Sequence, residues 1–190
     1  MGEYVPDYKA SLWLVNYERA HGKKVGLTRG TFDLINPGHL DFLSRAKELC
    51  DVLLVNINNV EWYKNHKGKG NEPVRKEINR IELIKRLEPV DYVFMHPGIG
   101  QHIHPAVFLA LYCKPDFFIR KDEDPRWAFE EKRIFSEHDY HPDFVILPRS
   151  DWDESSSEIR ERVKEMMRPE ISIEMLSDWL TQMRILHNKS

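Results

Sequence analysis

The chain alternates short, almost wholly apolar segments with longer segments in which apolar residues recur at helical spacing. The short segments predict five β-strands, at residues 24–28, 51–56, 91–95, 115–119 and 143–147. The periodic segments predict α-helices at about residues 8–20, 38–50, 73–87, 105–113, 126–138 and 155–167. An amphipathic segment at about residues 173–186 predicts one more helix near the end of the chain.

This alternation of strands and helices determines the fold class that we expect. Strands that are apolar throughout are typical of parallel sheets buried on both faces, and parallel strands need a long crossover between them. We therefore predict an α/β protein, a Rossmann-like α/β/α sandwich with a five-stranded parallel sheet and terminal helices. Ligands of such sheets bind beyond the carboxyl ends of the strands.

Length and composition indicate the domain organisation. A chain of 190 residues is long enough for one full core and too short for two ordinary domains. We predict a central domain at residues 23–168, an N-terminal helical extension at 1–22 and a C-terminal helical tail at 169–190. The 41% hydrophobic and 31% charged residues are typical of a soluble globular protein.

Charge, cysteine content and the start of the chain argue against several partners and locations. The formal charge of −3 gives no general attraction for nucleic acid or an anionic membrane, so we expect neither as a partner. No apolar run is long enough to cross a bilayer, and the first residues lack the pattern of a signal peptide. Two cysteines cannot form a disulfide framework. We therefore expect a cytoplasmic protein.

The segment at residues 28–40 connects a predicted strand to the next helix and has the features of a phosphate-binding turn. Gly30 lets the backbone approach a ligand closely, and a helix that starts near Gly38 offers unpaired N–H groups to an anion. His39, on the first turn of that helix, can donate a hydrogen bond to a phosphoryl oxygen. Taken alone, a plain turn and a surface histidine are the alternative interpretation.

Two further segments contain residue types that bind phosphate. Lys67 belongs to a basic loop with two glycines at residues 64–70, where a lysine can reach a triphosphate or a substrate phosphate. Ser155, Ser156 and Ser157 open the last predicted core helix, where hydroxyl and N–H groups together can surround a phosphate. The alternatives are a solvated loop and ordinary helix capping.

The order of these segments resembles the cytidylyltransferase-like nucleotidyltransferase superfamily, which includes glycerol-3-phosphate cytidylyltransferases and heptose-phosphate adenylyltransferases. Residues 30–33, Gly-Thr-Phe-Asp, followed by Gly38-His39, are similar to its first signature, a GTFD or GVFD turn followed by HxGH or TxGH. Residues 154–160 are similar to its second signature, ISSTxIR or STSxI. Asn36 stands where the first signature usually has His or Thr, and Glu72 stands where many relatives have Arg.

The resemblance implies a role for each motif residue. The catalytic residues would be His39 and Asn36, which would hold the α- and β-phosphates, and Lys67, which would face the acceptor phosphate. The nucleotide-binding residues would be Gly30, Thr31, Phe32, Gly38, Ser155, Ser156, Ser157 and Arg160. The substrate-binding residues would be Asp33, Arg80 and Arg120. Mg²⁺ would bridge the triphosphate with little ligation by the protein, with Asp33 as the nearest carboxylate.

These roles predict an enzyme that transfers a nucleoside monophosphate from CTP or ATP to a polyol, sugar or heptose phosphate and releases pyrophosphate. The attacking phosphate is already an anion near neutral pH, because its second pKa is about 6, so no protein nucleophile is required. The resemblance also implies a homodimer.

Two alternatives stay open at this point. One is a catalytically inactive nucleotide-binding regulatory protein. The other is an adenylyltransferase for a mononucleotide cofactor precursor, whose aromatic base Trp62, Tyr63 or Trp127 could contact. The histidines at positions 96, 102 and 104 form no recognisable metal-ligand pattern, so we predict no metal site made by the protein.

Overall fold

A computed structural model describes residues 1–62, 72–95, 104–121, 125–152 and 156–166. The chain divides into two compact units, Met1–Glu154 and Ser155–Ser190. The described elements of the first unit are β1 Glu3–Val5, α1 Ala10–Ala20, β2 Val25–Gly30, α2 Pro37–Glu48, β3 Val52–Ile57, α3 Glu77–Ile84, β4 Tyr92–Phe94, α4 Pro105–Cys113, β5 Phe117–Lys121, α5 Pro125–Glu137 and β6 Asp143–Leu147. In the second unit the structure describes helix α6, Ser156–Met166.

The strands form one parallel sheet in the order β1-β4-β3-β2-β5-β6. The expected Rossmann-like α/β fold is therefore confirmed, but the sheet has six strands and not five. The strand that the sequence analysis missed is β1, which pairs with β4 at the edge of the sheet. Its three residues are too few to show a periodic pattern.

Helices cover both faces of the sheet. Buried side chains of α2 and α3 pack with Leu53, Val55 and Ile57 on one face. Buried side chains of α1, α4 and α5 pack with Leu27 and Phe118 on the other. All six residues of β3 are buried, as the continuous apolar run predicted. Among the described residues, no helix has the length and apolar character that a membrane crossing requires.

The sheet order brings the carboxyl ends of β2 and β5 side by side. From β2 the chain continues to β3 and β4 on one side, and then returns to place β5 and β6 on the other side of β2. In open parallel sheets, this reversal opens a crevice outside the carboxyl ends of the two strands. The segment that follows β2 therefore starts at the position where this fold class binds ligands.

Gly26 in β2 supports a close contact between the sheet and the end of α2. A Cβ atom at this position would lie 2.7 Å from Sγ of Cys50 and 3.1 Å from Cδ1 of Ile119. Burial raises the pKa of the Cys50 thiol to about 11, so this side chain is an uncharged packing group at neutral pH.

We predict that Gly26→Ala lowers the free energy of unfolding by about 1–3 kcal/mol, because the added methyl group overpacks this contact. In a Cys50→Ala background the same substitution should cost less than half as much, since the closest neighbour is then absent. Urea denaturation of the four proteins in this cycle measures both values. An equal cost in the two backgrounds would contradict the packing explanation.

Candidate active site

The turn that leaves β2 is built around the Phe32 ring. A Cβ atom at Gly30 would lie 2.7 Å from two carbon atoms of this ring, so only glycine allows the ring to pack against the backbone there. Phe32 is almost fully buried and has a φ of 50°, a left-handed conformation that non-glycine residues rarely adopt. Its ring centroid lies 5.7 Å from that of His39. Gly30 and Phe32 thus form a rigid support behind the histidine.

Asn36 is the N-cap of α2 and holds His39 through two contacts. Its side-chain oxygen accepts a hydrogen bond from the His39 backbone N–H at 3.1 Å. The same oxygen lies 2.7 Å from Nδ1 of the His39 ring. Pro37 follows the cap at the first helical position, where the missing N–H of proline has no cost.

These two contacts determine which ring nitrogen of His39 bears the proton. A backbone N–H can only donate, so the Asn36 atom that faces it is the carbonyl oxygen. Because an amide oxygen only accepts, Nδ1 of His39 must donate to it. In the neutral ring, Nε2 is then an acceptor, and it donates to a phosphoryl oxygen only when the ring is cationic.

Asp33 connects this turn to the segment that precedes α3. The residue is buried, and its two carboxylate oxygens accept hydrogen bonds from the backbone N–H groups of Val74 at 2.9 Å and Arg75 at 2.8 Å. The prediction that helix α3 begins at Pro73 is wrong for this reason, since these bonds hold residues 74–75 outside the helix, which begins at Glu77. The substrate-binding role of Asp33 stays a prediction.

Arg80 lies fully buried beneath the ends of β2 and β3. One terminal nitrogen of its guanidinium donates to the carbonyl oxygens of Thr31 at 2.7 Å and Asn58 at 2.8 Å. Burial lowers the pKa of Arg80, an effect opposed by the negative charges of Glu77 and Asp33. Its Nε and second terminal nitrogen are buried and have no hydrogen-bond partner among the described residues.

Arg120 lies near the carboxyl end of β5 and is also buried. It donates to Glu131 of α5 at 2.9 Å, and the other carboxylate oxygen of Glu131 accepts from Arg29 of β2 at 2.5 Å. One buried carboxylate is therefore shared by arginines from the two strands that flank the crevice. We call Arg29, Arg120 and Glu131 the arginine–glutamate cluster.

Arg29 and Glu131 are not among the residues predicted from the sequence. Arg29 directly precedes the Gly-Thr-Phe-Asp motif, and Glu131 lies in the buried stripe of α5 with Ala128 and Phe135. A charged residue at helical spacing among apolar ones is a signal of a buried ion pair. This pattern does not identify the partner of Glu131, because Arg29 and Glu131 are 102 residues apart in sequence.

The remaining predicted site residues lie either outside the described residues or in the second unit. Lys67 and Ser155 lie outside the described residues, as do Tyr63 and the histidines at positions 96 and 102. In the second unit, Ser156, Ser157 and Arg160 belong to the first turns of α6, so the predicted helix start is confirmed, whereas their contact with a nucleotide stays a prediction.

Of the aromatic and histidine residues considered for other sites, those that the structure describes pack locally or lie at the surface. The Trp62 ring packs edge-on against the His104 ring at a centroid distance of 4.3 Å, and His104 caps α4 by accepting from the Ala106 N–H. Trp127 is exposed on α5. The described part of the chain contains no group of three His, Cys, Asp or Glu side chains that could hold a metal ion.

This chain is similar to known proteins in both sequence and fold. The model of the family described as cytidylyltransferase-like matches residues 27–162. The bifunctional protein HldE of a Caulobacter species is 40% identical over 91 residues, which are 48% of this chain and 18% of that protein. HldE of a Nitratiruptor species is 35% identical over 118 residues, which are 62% of this chain and 24% of that protein. The chain thus spans a quarter or less of the length of these relatives.

Two solved structures have the same fold. A lipopolysaccharide core biosynthesis protein from Thermoplasma volcanium aligns with a TM-score of 0.58 and 24% identity, over 68% of this chain and 100% of that chain. Pantoate-beta-alanine ligase from Francisella tularensis aligns with a TM-score of 0.57 and 15% identity, over 96% of this chain and 86% of that chain. The family model matches more than half of the chain and includes both signature segments. The chain therefore belongs to the cytidylyltransferase-like family, a family of nucleotidyltransferases.

Proposed function

We propose that this protein transfers a nucleoside monophosphate from CTP or ATP to the phosphate of a small acceptor and releases pyrophosphate. The observation that supports the proposal most directly is the pair of contacts between Asn36 and His39 at the start of α2. Those contacts hold the His39 ring in one orientation, at a helix N-terminus and at the edge of the sheet where α/β proteins bind ligands.

The proposed reaction is an in-line attack by an oxygen of the acceptor phosphate on the α-phosphorus of the nucleoside triphosphate. The bond between the α-phosphorus and the β-bridging oxygen breaks, and the electron pair leaves with pyrophosphate. Catalysis then consists of alignment and stabilisation of developing negative charge. Cationic His39 supplies this stabilisation by donating from Nε2 to a phosphoryl oxygen, while Asn36 fixes the ring through Nδ1.

We propose that the positive charge of Arg80 stabilises a bound anion at the same site. Its guanidinium donates to the carbonyl oxygens of Thr31 and Asn58, which directly follow β2 and β3, and two of its nitrogens have no hydrogen-bond partner among the described residues. A buried cation with spare donors stabilises negative charge beyond the strand ends, since the electrostatic effect is large where water is excluded. This position supports the predicted substrate-binding role of Arg80.

Magnesium enters the proposal as an ion carried by the triphosphate. The carboxylate of Asp33 already accepts two backbone hydrogen bonds, which agrees with an ion held mainly by phosphate oxygens and water. When bound, Mg²⁺ neutralises part of the triphosphate charge. The predicted magnesium requirement and the predicted homodimer are measurable by chelation and by analytical ultracentrifugation.

We propose a sugar phosphate as the first acceptor class to test. The similarity to the bifunctional HldE proteins supports this class. Polyol and heptose phosphates belong in the same panel, as do CTP and ATP as donors. The alternative of an inactive nucleotide-binding protein predicts nucleotide affinity without pyrophosphate release, so the same assay distinguishes the two functions.

We predict that His39→Ala lowers the rate of pyrophosphate release by about 100-fold to 1000-fold, because a preorganised donor to the transition state is lost. The thermal unfolding midpoint should stay close to that of the parent protein. His141→Ala is the matched control, since the His141 side chain is 71% exposed and lies far along the sequence from the turn. Equal losses in the two variants would contradict the assignment of His39.

We predict that Asn36→Asp moves the alkaline limb of the pH–rate profile to higher pH. A carboxylate beside Nδ1 stabilises the cationic ring, so the ring keeps its proton, and its Nε2 donor, as the pH rises. Asp is also a good N-cap, so the free energy of unfolding should change little, whereas Asn36→Ala should lower it by about 1 kcal/mol. Steady-state rates between pH 5 and 10 and urea denaturation provide the measurements. An unmoved limb in Asn36→Asp would show that His39 does not act as a cation.

A further inference from the structure

The arginine–glutamate cluster lies at the edge of the sheet formed by the carboxyl ends of the strands, where this fold class binds ligands. It is not part of the turn that holds His39. Strands β2 and β5 pair in parallel, with Gly26 opposite Phe117 and Leu27 opposite Phe118. Arg29 lies two residues after Leu27, and Arg120 lies two residues after Phe118. The two arginines therefore occupy neighbouring positions at the carboxyl ends of the two strands where the sheet order reverses.

Both arginines lie on the sheet face opposite α2. Side chains alternate along a strand, and Leu27 and Phe118 belong to the core cluster that contains residues of α1, α4 and α5. Arg29 and Arg120 follow these residues by two positions and share their face, where Glu131 of α5 meets them. The crevice is thus bordered by α2 with His39 on one face and by the cluster on the other.

The charge content of the cluster indicates what it can recognise. Its three side chains carry two positive charges and one negative charge, and their exposed fractions are only 12% for Arg29, 4% for Arg120 and 2% for Glu131. A buried ion pair is seldom more stabilising than well-packed apolar side chains of similar volume. Stability alone therefore does not explain a buried cluster with a net positive charge at the carboxyl ends of the strands. Its position and charge point to recognition of an anion.

Within the cluster, Arg29 is the residue best placed to meet a ligand. It is the most exposed of the three, and it directly precedes Gly30, where the signature turn begins. Glu131 fixes one end of its guanidinium, and Arg120 holds Glu131 from the other side. A planar guanidinium fixed in this way matches the geometry of a phosphate group.

We propose that Arg29 contacts a phosphate group of a substrate in the crevice between β2 and β5, and that Glu131 positions Arg29 for this contact. The phosphate belongs either to the nucleoside triphosphate or to the acceptor, and both present the same chemistry to a guanidinium. The inference rests on the proposed function only in requiring a phosphate-bearing ligand at this edge.

The first test compares ligand affinities in full-length Arg29→Gln, Arg29→Lys and Arg133→Gln. Removal of Arg29 leaves Glu131 paired with Arg120, so the fold should be retained, which the thermal unfolding midpoint checks. Arg133→Gln is the matched control, because Arg133 lies on the exposed side of the same helix and pairs with Glu130 and Glu137. Isothermal titration calorimetry with ATP, CTP and inorganic phosphate gives the dissociation constants.

We expect Arg29→Gln to weaken binding of the nucleotide or of inorganic phosphate by about 10-fold to 100-fold, the usual range for a lost charge-assisted hydrogen bond. Loss of nucleotide affinity assigns the contact to the triphosphate, and loss of phosphate affinity with unchanged nucleotide affinity assigns it to the acceptor. Arg29→Lys should recover part of the affinity, and Arg133→Gln should change it by less than about twofold. Unchanged affinities for all three ligands in Arg29→Gln would overturn the proposal.

The second test addresses Glu131 with a double-mutant cycle. Glu131→Gln keeps the shape of the side chain and an acceptor oxygen, but it removes the charge that fixes Arg29. We expect it to change ligand affinity when Arg29 is present and to have less than about a twofold effect in Arg29→Gln. The same effect in both backgrounds would exclude a role through Arg29. A wild-type chain that binds nucleotide and releases no pyrophosphate would refute the proposed function. The affinities of the Arg29 variants would still support or overturn this inference, because they measure binding and not turnover.

Discussion

The parallel pairing of β2 with β3 on one side and β5 on the other is the constraint on which the rest of the structure depends. Because every strand runs in the same direction, the polar segments that follow the strands meet at one edge of the sheet. The reversal of strand order beside β2 opens the crevice there, bordered by the signature turn on one face and by the arginine–glutamate cluster on the other. Polar residues that are far apart in the sequence are thereby brought to one edge of the sheet.

The local geometry of the turn after β2 determines which hydrogen bonds each of its polar groups can form. Gly30 allows the Phe32 ring to pack against the backbone, the ring supports His39, and the Asn36 oxygen fixes the histidine ring through Nδ1. Asn36, which stands where the signature usually has His or Thr, therefore has two roles, because its amide oxygen caps the helix and orients the His39 ring at the same time. Asp33 extends this arrangement to the segment before α3 by binding its backbone.

Much of the fold could be predicted from the sequence, and so could the turn that forms the candidate site, since both depend on local patterns. Apolar runs and helical spacing identified β2 to β6 and the helices between them. Gly30, which begins the Gly-Thr-Phe-Asp motif, and Gly38, which follows it, marked the turn before His39. The three-residue strand β1 lacked such a pattern. Motif position indicated Arg80 but could not show that it lies buried beneath two backbone carbonyl groups. The link between Arg29 and Glu131 is a long-range pairing that no local signal contains.

The proposed reaction transfers the α-phosphorus of a nucleoside triphosphate, with its nucleoside, to a phosphorylated acceptor. The most direct test is to incubate the protein and Mg²⁺ with ATP or CTP labelled at the α- or γ-phosphate and a panel of sugar, polyol and heptose phosphates. Separation of the products should show the α-label joined to the acceptor and the γ-label in pyrophosphate. Transfer of the γ-label to the acceptor, its release as orthophosphate, or nucleotide binding without turnover across the panel would contradict the proposed function.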